Sequence, residues 1–186
     1  MIDTLLINKP SFIKPAIWDE FNLREKEYFI MTLHRPANVD QGSQLKGLMD
    51  EIINNTRDMP LVFPVHPRTK KILNEFGIKH DRLHMVDSMS YFEFNYLVEH
   101  SFAVVTDSGG ITEETTVMGI PCLTLRDNTE RPETIAIGTN ELIGTDPNKI
   151  APAMNKLFKN KWKKGGIPEL WDGKAAKRIV DKLIEL

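Results

Sequence analysis

Cysteine is almost missing from this chain. The one thiol, Cys122, has no partner for an intramolecular disulfide, which excludes a disulfide scaffold and fits a reducing compartment. An excess of either charge is missing too. Lys and Arg number 24 against 26 Asp and Glu, a formal net charge of −2, so nothing draws the chain generally to nucleic acid or to acidic membranes, and neither is expected as a partner. No apolar run reaches the length of a bilayer span. The opening MIDTLLINKP carries an acid at Asp3 and no basic stretch, so it does not read as a signal peptide, and a cytoplasmic location is expected. There are no repeats and no low-complexity tracts. What remains is a chain of 186 residues, 41% hydrophobic and 27% charged, which suits one globular domain with a core of its own.

Hydrophobic spacing alternates between two periods. YFIMTLH (28–34), LVFPVH (61–66), LHMV (83–86), FAVVT (102–106), PCLTL (121–125) and ELIG (141–144) read as strands. Between them lie helix-period segments at 43–57, 69–77, 90–100, 111–119, 146–158 and 172–186. In the first, Leu45, Leu48, Met49, Ile52 and Ile53 fall on one face. Ser90 caps the third, Gly119 ends the fourth, and Asp146 with Pro147 opens the fifth. Strands alternating with helices predict a parallel sheet covered on both faces. Ligands of such sheets bind beyond the carboxyl ends of the strands.

Four strand ends are therefore of interest. They carry His34-Arg35-Pro36-Ala37-Asn38, His66-Pro67-Arg68, Asp107-Ser108-Gly109-Gly110 and the charged stretch Arg126 to Glu133. Ser108-Gly109-Gly110 leads into a helix. Glycines let a ligand approach the backbone closely, and a helix start offers unpaired N–H groups and the positive end of a dipole. A phosphate suits that arrangement. A plain N-cap at Ser108 or Thr112 accounts for the same letters. The stretch is neither a P-loop nor a three-glycine dinucleotide fingerprint, and it lacks the flanks of a serine nucleophile elbow. Glu113 and Glu114 either sit in the helix dipole or accept the hydroxyls of a ribose next to the phosphate. Arg35, Arg126 and Arg131 can chelate an anion, and a protonated His34 or His66 can add charge. The histidines lack the further ligands a zinc site needs, so no metal or cofactor is expected. Together these groups suit an anionic, sugar-bearing ligand such as a nucleoside diphosphate.

The stretches LHRPANVD, FPVHPR, VVTDSGGITEETTVMGIPCLTLRDNTERPET and GTNELIGTD resemble the C-terminal half of the non-hydrolysing UDP-N-acetylglucosamine 2-epimerases. The resemblance covers nearly the whole chain. It implies one Rossmann-like, doubly wound domain over 1–186, half of a GT-B-type two-domain fold with UDP-sugar in the cleft between halves. It implies inversion at C2 of UDP-GlcNAc to give UDP-ManNAc, by anti elimination of UDP and re-addition. It implies that Ser108, Gly109 and Gly110 hold the diphosphate and that Glu114 takes the ribose hydroxyls. By the same resemblance, His34 and Arg35 meet the phosphates and the reacting region, His66, Arg131 and Asn38 line the cleft, and Phe94 lies by the uracil.

Two departures stand out. Pro36 and Ala37 replace the middle of the family's first motif and remove its acid. The family's N-terminal domain, which carries acids near C2, has no counterpart in these 186 residues. The expectation is a UDP-binding domain that is inactive alone, partnered by that other domain and dimeric in the full enzyme. The alternatives are the nucleotide half of a related GT-B glycosyltransferase or hydrolysing epimerase, and a non-catalytic UDP-sugar sensor.

Overall fold

A computed structural model describes residues 1–185. The chain opens with two short helices, α1 (Ile2–Asn8) and α2 (Ile17–Glu20), before the first strand, β1 (Phe29–Thr32). Next come α3 (Pro36–Val39), α4 (Gly42–Asn55), β2 (Leu61–Pro64), α5 (Pro67–Glu75) and β3 (Leu83–Val86). The second half holds α6 (Tyr91–His100), β4 (Ala103–Thr106), α7 (Gly109–Met118), β5 (Cys122–Thr124) and α8 (Pro132–Ala136). It ends with β6 (Asn140–Leu142), α9 (Ile150–Phe158) and α10 (Ala175–Ile184). Leu186, the last residue of the expected terminal helix, lies outside the described residues.

All six strands pair in parallel in the order β3-β2-β1-β4-β5-β6. This is the doubly wound Rossmann order, with its reversal between β1 and β4. Strand periodicity splits the core. Phe29 and Met31 join Leu45, Leu48, Met49 and Ile52 of α4 on one face. Tyr28 and Ile30 join Leu97 and Val98 of α6 on the other. Both faces are thus buried, which is why the strands show no polar alternation.

Every expected strand and helix is present, but several ends move. The expected strand 28–34 stops at Thr32, because the backbone N–H of His34 turns from the ladder to the side chain of Asp107. The helix expected at 111 starts at Gly109, so both glycines lie in its first turn. Gly119 ends it in the left-handed region at φ 71°. Asp146 caps through the Asn148 N–H as expected, but its first turn is a 3-10 turn and α9 begins at Ile150. Helices α1, α2, α3 and α8 were not expected; each is shorter than the window in which a helical period can be read.

Candidate functional site

The reversal in strand order opens a crevice between the ends of β1 and β4, whose last residues Thr32 and Thr106 pair directly. Their hydroxyls share a hydrogen bond of 2.7 Å. At the centre lies Asp107, which sequence reasoning passed over. Its side chain is fully buried, and a buried carboxylate is costly unless donors surround it. They do. The backbone N–H groups of His34 and Arg35 donate to it at 3.2 and 3.0 Å, and Asn38 Nδ2 at 3.0 Å. His34 Nδ1 stands 2.7 Å from Oδ1. Arg35 Nε donates to the Asp107 carbonyl at 3.1 Å. One buried acid thus ties the loop after β1 to the loop after β4.

Asn38, expected to line the cleft, is buried beneath it. Its amide nitrogen is committed to Asp107 and to the Leu125 carbonyl, and its Oδ1 finds no partner among the described residues. The structure therefore makes it a support for the loop rather than a cleft surface.

Ser108 occupies the N-cap position of α7, yet its side chain makes no cap hydrogen bond. Its N–H donates instead to Thr106 Oγ1 at 3.0 Å. The plain-cap reading of this serine is thus not what the geometry provides. The first-turn N–H groups of a helix have no intrahelical acceptor, and here, among the described residues, the Ser108 side chain does not cap them. Gly109 and Gly110 are helical, so neither is needed for a left-handed backbone. Gly109 leaves space: a Cβ there would come no nearer than 3.6 Å to Glu130 Oε2. At Gly110 the space is taken by the flexible tip of Met1, whose Cε would lie 2.7 Å from an added Cβ.

The acids that follow are both buried. Tyr91 Oη donates to Glu114 Oε1 at 3.0 Å. Burial pushes the Glu114 carboxyl above its ordinary range, with the Tyr91 hydrogen bond pulling the other way and neighbouring Glu113 adding to the rise. The same burial and the Glu114 charge raise the Tyr91 phenol. Glu113 pairs with Arg131 Nε at 3.1 Å. Beside them, buried Arg126 grips Glu130 through two bonds of 3.0 and 2.7 Å and Asn128 Oδ1 at 3.1 Å. The Arg126 bond holds the Glu130 carboxyl down at about 2. Arg35 Nη2 approaches the same carboxylate at 3.8 Å. Glu130 thereby aligns two guanidinium groups, a role that sequence reasoning did not assign.

The remaining expected residues are more peripheral. His66 follows β2 as the N-cap of α5 and spends Nδ1 on the Arg68 N–H at 3.3 Å. Phe94 is half-buried on α6, one turn beyond Tyr91, and packs against the core cluster that holds Tyr28, Ile30, Leu97 and Val98. Next to the Glu113–Arg131 pair, an open cleft of about 680 Å³ runs between Ile2, Trp171 and Ile179.

The family model described as UDP-N-acetylglucosamine 2-epimerase matches residues 1–184. The UDP-N-acetylglucosamine 2-epimerase of Methanocaldococcus jannaschii is 38% identical over 165 residues, 84% of this chain and 44% of the relative. That of Escherichia coli K12 is 31% identical over 166 residues, again 44% of its length. The chain thus spans less than half of these curated relatives. Among solved structures, the M. jannaschii enzyme in complex with UDP-GlcNAc and UDP superposes with a TM-score of 0.80 at 35% identity, covering 100% of this chain and 53% of that one. The Neisseria meningitidis enzyme bound to UDP-GlcNAc gives 0.84 at 28% identity with the same coverage. An E. coli heptosyltransferase with ADP, 14% identical at a TM-score of 0.52, shares the fold alone.

Proposed function

The chain belongs to the UDP-N-acetylglucosamine 2-epimerase family, and from that premise we propose that it is the UDP-binding domain of an enzyme that interconverts UDP-GlcNAc and UDP-ManNAc. The observation that carries this reading is the start of α7, a helix end without a side-chain cap at the switch point of a parallel sheet. In this reading the N–H groups of Gly109 and Gly110 and the Ser108 hydroxyl cradle the diphosphate. Arg35 and His34 approach it from the other side of the crevice. Glu114 accepts the ribose hydroxyls, and Arg131 and His66 border the same opening. Phe94 lies towards the base, one helical turn from Tyr91.

The chemistry asks for a stabilised leaving group. Anti elimination of UDP from the sugar develops charge on the diphosphate, and fixed donors stabilise such charge without reorganising. The C2 proton leaves with UDP in the elimination; re-addition of UDP to C1, with a proton delivered to the opposite face of C2, completes the inversion. The acids that act at C2 belong, in this proposal, to a second domain that closes over the sugar. The chain by itself binds UDP and does not turn over.

Calorimetric titration of the chain with UDP and with UDP-GlcNAc, followed by an assay for UDP-ManNAc, tests this. Binding without turnover is expected. A well-folded sample with no affinity for UDP at millimolar ligand contradicts the nucleotide site. Turnover by the chain alone contradicts the need for a second domain.

A further inference from the structure

Asp107 is fully buried, and it touches more of the loop carrying His34 than any other side chain described above. The geometry points to Asp107 as a positioning residue that sets the tautomer of His34. Its carboxylate only accepts hydrogen bonds, so His34 Nδ1 at 2.7 Å must carry a proton to meet it. The ring's other nitrogen, Nε2, is then the free one. The His34 side chain is 61% exposed while Asp107 is fully buried, so Nε2 is directed to the open side. Which ring nitrogen carries the proton is set by the hydrogen bonds the ring makes, and here the buried acid sets it. The functional meaning rests on the UDP-site reading. With Nδ1–H tied down, neutral His34 offers the ligand an acceptor at Nε2, and a protonated ring offers a cationic donor at the same atom with its charge matched by Asp107.

The contacts around Asp107 say what an amide would do in its place. Arg35 N and Asn38 Nδ2 both reach Oδ2, at 3.0 Å each, while His34 N is shared between Oδ1 and Oδ2 at 3.2 Å. The single oxygen of Asp107→Asn is drawn to those donors. Its amide nitrogen is left opposite His34 Nδ1 and donates. Nδ1 must then accept, and the ring proton moves to Nε2. An Asp-to-Asn change beside a histidine in a serine-protease triad acts through this same wrong tautomer.

Long-range ¹H–¹⁵N correlation of the histidine rings reads the tautomer directly. It is recorded on the full chain at alkaline pH, with a His34→Gln sample identifying the signal. The Nδ1–H form is expected for the native chain and the Nε2–H form for Asp107→Asn. A native chain in the Nε2–H form, or a folded Asp107→Asn sample that keeps Nδ1–H, overturns the inference. Should that variant fail to fold, the native spectrum alone decides. Titration with UDP is scored separately. A chain in the Nδ1–H form that does not bind UDP sinks the nucleotide reading and leaves the role of Asp107 standing.

Discussion

Glu114 is a carboxylate kept where water scarcely reaches it, at 5% exposure, with one phenol as its donor. Such a group weakens the fold. Its carboxyl is raised in the folded chain, so the stability it permits is full below the ordinary glutamate range and is lost as pH rises through the folded value. Replacing it with a neutral isostere removes that cost. We expect Glu114→Gln to melt higher than the native chain at pH 7, with the gap closing towards pH 4, in thermal scans across that window. If Glu114 takes the ribose, the same variant loses about tenfold in UDP affinity, the scale of one hydrogen bond to a charged group. It also loses the ability to distinguish UDP from 2′-deoxy-UDP. A variant that melts lower and binds as before marks Glu114 as structural. Tyr91→Phe leaves the acid buried without its donor, and we expect a loss of about 1 kcal/mol in denaturant unfolding. Ser108, Glu114 and Arg131 stand out as candidates from their neighbours in the chain. Asp107, Tyr91 and Glu130 do not, because their roles come from partners distant in sequence or from a loop's fold: His34 is 73 residues from Asp107, and Tyr91 is 23 from Glu114.

At the scale of one element, α7 shows two glycines with opposite work. Gly119 ends the helix at φ 71°, a conformation that costs an L side chain about 1 kcal/mol or more. Gly109 is helical, and a Cβ there meets nothing closer than 3.6 Å. Gly119→Ala is therefore expected to lower the melting temperature by about 2–4 °C and leave UDP affinity unchanged. Gly109→Ala is expected to leave the melting temperature level or slightly raised, since alanine is the better helix former, while UDP affinity falls. Calorimetry in both modes separates them; equal effects of the two changes on binding speak against an anion at the helix start. The strands of this element's neighbourhood were legible because buried parallel strands are short apolar runs. Their ends were less so. Leu33 and His34 continue the pattern of β1, but the Asp107 carboxylate captures the His34 N–H and ends the ladder. Nor did the letters reveal that Ser108 would leave the α7 end uncapped, since a capping serine and a non-capping one read alike.

For the whole molecule, the alternation of strands and helices was enough to predict a doubly wound sheet. It did not give the strand order. That order matters for the proposed site, because it brings the end of β1, with His34 and Arg35, beside the end of β4, with Ser108 and Gly109. His66 follows β2, one strand further out, and is engaged in capping α5. The central claim is that UDP binds through its diphosphate at the start of α7. Backbone ¹H–¹⁵N spectra recorded during titration with UDP, and with uridine as control, test it most directly. The account predicts that UDP shifts the amides of Gly109, Gly110 and Ile111 most strongly, and that uridine moves them little. Shifts gathered instead along α10 and Trp171, with the Gly109 and Gly110 amides unmoved at saturation, would contradict it.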